Sequence, residues 1–167
     1  MCNMKKELGF GLMRLPRNLD GTIKLEESQR LVDFYIAHGG QYFDTGYHYI
    51  NGLGESVIKL LLTDKYPRES YKVTAKFPTW INFEDEARME NIFQEQLDKA
   101  GLTYFDNYFL HGISDSDLPE IGSSNILAFL KRLKDEGRVK KIGFSFHGTP
   151  ECLRLLLDTY NDLIDIV

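Results

Sequence analysis

The sequence predicts an α/β chain, a parallel sheet with helices outside it, and three observations carry that prediction. Short apolar runs rich in β-branched and aromatic residues alternate with amphipathic helical stretches along the whole chain. Glycine, proline, asparagine and aspartate punctuate the boundaries, so the connections are short. The repeating unit is roughly 30 residues, the length of one strand with its crossover helix. Two architectures satisfy this alternation: an open doubly wound sheet, or part of a (β/α)8 barrel.

The elements follow in order. Leu8 to Leu15 is the first strand, ended by Pro16 and the Asn18-Leu19-Asp20-Gly21 turn. A helix runs from about Leu25 to His38, with Leu31, Phe34, Tyr35 and His38 on one face and Gly39-Gly40 closing it. Tyr42 to Thr45 is a short strand, and Glu55 to Asp64 a helix with Val57, Ile58, Leu61 and Leu62 apolar. Tyr71 to Phe77 alternates as a strand and stops at Pro78. Phe83 to Ala100 is helical, with Ile92, Phe93, Gln96 and Leu97 on one face and Gly101 at its end. Phe105 to Leu110 is a strand, and Ser123 to Glu136 a helix capped by Ser123 or Ser124 and ended by Gly137. Val139 to Phe146 is a strand, Thr149-Pro150-Glu151 opens another helix, and Leu163 to Val167 begins a last strand. That makes about six strands and five helices, whereas a complete barrel takes about 250 residues. The 167 residues are therefore expected to form one domain, 1–167, truncated on its C-terminal side.

Composition narrows the function classes. Lys and Arg number 20 and Asp and Glu 25, a formal charge of −5 with 43% hydrophobic residues, which is globular and argues against a nucleic-acid binder. No run approaches the ~20 apolar residues of a membrane span, and MCNMKKELGF has no apolar segment of a secretion signal. Cys2 and Cys152, far apart, are expected to be reduced thiols in a cytoplasmic protein, and two cysteines alone hold neither a zinc nor an iron–sulfur cluster.

Four polar residues stand at or just beyond strand C-termini: Asp44, Tyr49, Lys76 and His111. In a parallel barrel those ends share one face, so the four converge in space. Taken singly each has a plain explanation. Asp44 suits a turn, Tyr49 a packed aromatic, Lys76 a snorkelling side chain, and His111 a satisfied structural histidine. Taken together they fit proton donation to a carbonyl oxygen. A lysine ammonium within a few ångströms lowers the ~10 pKa of a tyrosine. An aspartate keeps that lysine charged, and a histidine hydrogen-bonds the carbonyl. No side chain carries hydride, so a nicotinamide has to supply it. His48 and His147 beside Asp44 and His111 could imitate a metal site, but the spacing is no known ligand pattern and no metal is expected. Gly9-Phe10-Gly11 lacks the rest of a dinucleotide fingerprint.

These residues resemble the aldo/keto reductase family. The likeness rests on Gly9-Phe10-Gly11-Leu12-Met13-Arg14-Leu15-Pro16, and on Phe43-Asp44-Thr45-Gly46-Tyr47-His48-Tyr49 with Glu55 following. It continues through Val73-Thr74-Ala75-Lys76, Tyr108-Phe109-Leu110-His111 and Val139-Lys140-Lys141-Ile142-Gly143-Phe144-Ser145. The wording Gly-Phe-Ser-Phe-His is similar to a bacterial branch whose longer members carry a C-terminal iron–sulfur segment, absent from these residues. The resemblance implies an incomplete (β/α)8 barrel of aldo/keto reductase type. It implies NADPH-dependent reduction of an aldehyde or ketone, with Tyr49 as general acid, Asp44 and Lys76 tuning it, and His111 orienting the carbonyl. Gly11, Met13, Asp44 and Ser145 are the cofactor contacts so implied, although Phe146 stands where the family has an asparagine. Two rival readings remain. One is an inactive partial barrel that needs a C-terminal half or a partner, with homodimerisation through the open sheet edge. The other is a cofactor-sensing regulatory protein.

Overall fold

The computed structural model describes residues 8–81 and 83–167, so Cys2 and the N-terminal stretch before Leu8 lie outside the described residues. Five strands, β1 (Gly9–Gly11), β2 (Tyr42–Asp44), β3 (Lys72–Phe77), β4 (Phe105–Ile113) and β5 (Val139–Phe146), form one sheet in the order 1-2-3-4-5 with every pairing parallel. A doubly wound sheet reverses its strand order at a switch point, whereas a barrel adds strands in sequence order. The unbroken order therefore makes this an incomplete (β/α)8 barrel. The register sets Gly11 beside Asp44 and Lys76 beside Phe109, so the strand C-termini lie on one rim.

The helices follow the apolar periodicity, with exceptions that tertiary packing explains. In α1 (Leu25–Ala37) the buried residues are Ser28 and Val32, while Leu31 and Phe34 are exposed because no described element covers that side of the helix. The second helical segment is broken into α2 (Tyr49–Gly52), α3 (Gly54–Ile58) and a π-type turn over Lys59–Thr63, where the Asp64 amide donates to the Lys59 carbonyl. Val57, Ile58, Leu61 and Leu62 are all buried, as expected. In α4 (Glu86–Ala100) the expected face of Ile92, Phe93, Gln96 and Leu97 is buried, but the helix starts later than Phe83 because Asp85 caps it, accepting from the Arg88 amide at 2.9 Å. Gly39, Gly101 and Gly137 follow their helices with left-handed φ, the expected C-terminal stops.

Four further boundaries differ from the sequence expectation. β1 is three residues long because β2 ends at Asp44; Leu12–Arg14 turn away as a 3-10 helix and bury Leu12. β4 runs past Leu110 to Ile113, so His111 lies inside the strand, carried there by continued pairing with β5 across an irregularity between Leu110 and Ile113. A short helix, α5 (Leu118–Ser123), precedes α6 (Ile126–Asp135), and Ser123 Oγ donates back to the Pro119 carbonyl instead of capping α6, whose N-cap is Asn125. After α7 (Pro150–Tyr160), capped by Thr149, the expected last strand is reduced to a parallel bridge between Ile166 and Gly143.

The strand N-termini are tied by one carboxylate. Asp106 on β4 accepts from Arg68 at 2.6 Å, from the Val73 amide on β3 at 2.9 Å, and from Lys140 on β5 at 2.9 Å. The basic run through Lys131, Arg132, Lys134, Arg138 and Lys140 is otherwise a surface ion network, with Arg132 and Arg138 both reaching Glu90 on α4. No helix among the described residues is long and apolar enough to cross a membrane. Replacing Asp85 by alanine is expected to cost about 1 kcal/mol of stability through loss of the α4 cap, measured as the shift in urea midpoint at unchanged slope.

Candidate active site

Lys76 sits at the C-terminal end of β3, nearly fully buried. Its ammonium donates to both carboxylate oxygens of Asp44, at 2.6 and 2.7 Å, and to the Thr45 carbonyl at 2.8 Å. Lysine has three N–H donors, and these three acceptors satisfy them. Burial alone lowers the Lys76 pKa, opposed by the adjacent Asp44 carboxylate and by the charge of Glu55.

The ammonium also lies 4.9 Å from the centre of the Tyr49 ring, and that ring meets His111 edge-on at 5.5 Å. Asp44, Tyr49, Lys76 and His111, from four separate segments, thus form one cluster on the rim. The electrostatics differ from the sequence expectation in one respect. The Tyr49 pKa is raised, not lowered, first by burial and then by the Asp44 carboxylate. The lysine's charge is directed into Asp44 and Thr45, so it does not stabilise a phenolate. Tyr49 therefore keeps its proton across neutral pH.

His111 is half-buried and held from both sides. The Thr79 hydroxyl donates to its carbonyl at 2.6 Å, and His48 stacks on its ring at 4.9 Å with a 24° tilt. Trp80 borders both imidazoles. Burial, then the Lys76 charge, then His48 and His147 push the His111 pKa down to about 4, so its imidazole is neutral at pH 7, and its Nδ1 is buried without a partner. No group of three or more histidine, cysteine, aspartate or glutamate side chains among the described residues is arranged to hold a metal.

The loop behind Tyr49 is strained. Ile50 and Asn51 both have left-handed dihedrals (φ 56° and 57°), which a β-branched residue rarely adopts. Gly54 then lets α3 approach closely, since a Cβ there would lie 2.6 Å from both the Gly46 carbonyl and the Thr45 hydroxyl.

The remaining expected positions lie along the same rim. Gly11 pairs with Asp44 across β1 and β2, and Met13 is half-exposed in the turn after β1. Ser145 on β5 accepts from the Gly112 amide at 2.7 Å through its hydroxyl oxygen, leaving its own hydrogen to donate. Sequence reasoning passed over Thr45, Thr79 and Trp80, and it weighed His48 only as a metal ligand. Their parts depend on backbone carbonyls and ring packing, for which residue spacing carries no signal.

The chain matches the aldo/keto reductase family model over residues 7–167. It is similar in structure to an aldo-keto reductase from Bacillus halodurans in its holo form, at 22% identity and a TM-score of 0.71, covering 96% of this chain and 51% of that one. It is also similar to an aldo/keto reductase from Klebsiella pneumoniae in complex with NADP and acetate, at 22% identity and a TM-score of 0.69, covering 89% and 48%. A third, from Brucella melitensis, shares 24% identity with a TM-score of 0.65, covering 93% and 55%. At these identities the likeness shows the fold, and the chain spans about half the length of the solved structures it matches. No curated protein matches it in sequence.

The depressed His111 pKa has a direct consequence for stability. The unfolded imidazole, with a pKa of 6.5, takes up a proton that the folded one resists until about pH 4. Stability is therefore lost as pH falls from 6.5 toward 4. Urea midpoints at pH 7 and pH 5 are expected to differ less in His111→Gln than in the parent; an equal drop would rule this origin out.

Proposed function

The chain belongs to the aldo/keto reductase family, and we propose that it reduces an aldehyde or ketone to an alcohol with a reduced nicotinamide, through Tyr49 as proton donor. The observation that carries this reading is the joint position of Lys76, Asp44, Tyr49 and His111, with the lysine paired at 2.6 Å and lying under the tyrosine ring.

The residues present fit the reacting end of NADPH. Ser145 has a free hydroxyl hydrogen for a carboxamide oxygen, and Gly11, Met13 and Asp44 border the same rim. When bound, the dihydronicotinamide supplies hydride to the carbonyl carbon. Tyr49 holds its proton on the phenol oxygen, its pKa raised by burial, and passes that proton to the carbonyl oxygen as negative charge develops there. His111, neutral, orients the oxygen by one hydrogen bond and does not compete as an acid. The Asp44–Lys76 pair lies as a fixed dipole beneath the tyrosine ring and holds that ring at the rim. A cytoplasmic setting accords with the buried, unpaired Cys152.

Purified chain titrated with NADPH is expected to show saturable binding, and turnover of a small aldehyde is expected to fall by roughly 100-fold or more in Tyr49→Phe with binding retained. Full turnover in that variant would remove Tyr49 from the role. No binding at millimolar NADPH would mean that residues 1–167 do not hold the cofactor alone.

The second reading, that this chain works as a pair, rests on its open edges. Among the described residues β1 pairs only with β2, and β5 carries beyond β4 only the Ile166 bridge. Beside β1 lies a groove of about 760 Å3 lined by Leu8, Phe10, Leu31, Phe34 and Tyr35, with Leu31 and Phe34 exposed. A second copy, related by a two-fold axis, would set the β1 edge of each on the β5 side of the other. Light scattering is expected to give a dimer that Phe34→Glu converts to monomer; a monomeric parent chain would overturn the pairing.

A further inference from the structure

Behind Lys76 lies a second acidic group that the proposed chemistry does not use. Glu55, the second residue of α3, is fully buried. Its Oε1 accepts from Gln96 Nε2 at 2.6 Å, and the same amide nitrogen donates to the Lys76 main-chain carbonyl at 3.1 Å. The Gln96 side chain is fixed in turn by the Tyr108 hydroxyl, which donates to its Oε1 at 2.5 Å. One amide therefore joins the Glu55 carboxyl to the end of β3. A second connection runs through backbone: α3 begins at Gly54, pressed against Thr45 and Gly46, and the Thr45 carbonyl is one of the three acceptors on the Lys76 ammonium.

The other Glu55 oxygen, Oε2, is buried without a hydrogen-bond partner, and so is the Thr45 hydroxyl. A buried carboxyl with an unsatisfied oxygen is costly to keep. A glutamine in its place could satisfy Gln96 equally well through its own amide oxygen, so the hydrogen bond alone does not account for an acid here. The acid adds charge. The charged and titratable groups facing it are Lys76, Lys99, Glu95, Tyr47 and Tyr108. Lys99, paired with Glu95 at 2.5 Å, and Lys76, paired with Asp44 at 2.6 Å, both feel the Glu55 charge, but of the two only Lys76 is also joined to it by the Gln96 amide.

We propose that Glu55 is a positioning residue for Lys76. Its carboxyl holds the Gln96 amide against the end of β3 and, when ionised, places a second negative charge behind the Asp44–Lys76 pair. Two anions then keep a nearly fully buried ammonium charged, while its hydrogen bonds all point to Asp44 and Thr45. The significance of a charged Lys76 rests on the carbonyl-reducing reading, but the coupling between the two side chains does not. Burial also raises the Glu55 pKa, so the supplementary charge is lost at a higher pH than an exposed glutamate would lose it.

The test is the titration of Lys76 in the whole chain, followed by the NMR shift of its ε-carbon. In Glu55→Gln the Lys76 midpoint is expected to fall by about one unit, a tenfold change in its protonation equilibrium. An unmoved midpoint with a lowered Tm would show that Glu55 only supports the fold and would overturn the proposal. If Glu55→Gln does not fold, the parent protein decides: the Lys76 ε-carbon shift must show a second inflection where the Glu55 carboxyl carbon titrates, and its absence overturns the proposal equally. Failure of NADPH binding or turnover in the parent chain bears on the proposed function alone, since neither readout uses cofactor.

Discussion

The burial of one lysine ammonium is the constraint on which the rest of this rim depends. Removing such a charge from water costs several kcal/mol unless geometry and hydrogen bonds compensate. Here every donor of Lys76 has an acceptor, and all three acceptors come from the last residue of β2 and the residue just after it. β2 must therefore end where it does, and the chain must turn at Thr45-Gly46 to present a carbonyl inward. That turn leaves room for α3 only because residue 54 has no side chain. The left-handed pair Ile50 and Asn51 lies in the same connection, the kind of local strain that persists only where surrounding structure enforces it.

The two ends of the sheet handle charge differently. At the strand N-termini Asp106 meets Arg68, Lys140 and a β3 amide, and its pKa is lowered because these hydrogen bonds and charges outweigh its burial. Arg68, Asp106 and Lys140 are all in ion pairs there, which suits a role in holding three strands in register. At the C-terminal rim the pairing is incomplete. His111 keeps a buried nitrogen without a partner, and Tyr49 keeps a proton it is reluctant to lose. The contrast follows the general division of a parallel barrel, whose N-terminal face serves stability and whose C-terminal face serves chemistry.

Incompleteness shows in the same physical terms at the edges. Phe10, Tyr35 and Phe43 form a ring cluster beneath β1, yet Phe34 and Leu31 one turn away face water. The helix α1 is amphipathic, and only part of its apolar surface is covered by described residues. The chain's span of about half of its structural relatives accords with that.

The sequence by itself determined the alternation of strands and helices, the buried face of α4, the apolar stripe of α3, and the four polar residues that meet on the rim. These are legible because they depend on local periodicity and on the rule that parallel strands end on one face. Tertiary structure decided what periodicity cannot encode. Pairing with β5 drew His111 into β4, and the end of β2 shortened β1. The direction of the Tyr49 pKa was likewise out of reach. Residue types alone placed a cation near a phenol, but only the fold shows that the cation's hydrogen bonds go to Asp44 and Thr45. Gln96, read from the sequence as one more residue on a buried helix face, emerged as the amide joining Glu55 to Lys76. Contacts between residues tens of positions apart depend on packing, and they leave no mark in local spacing.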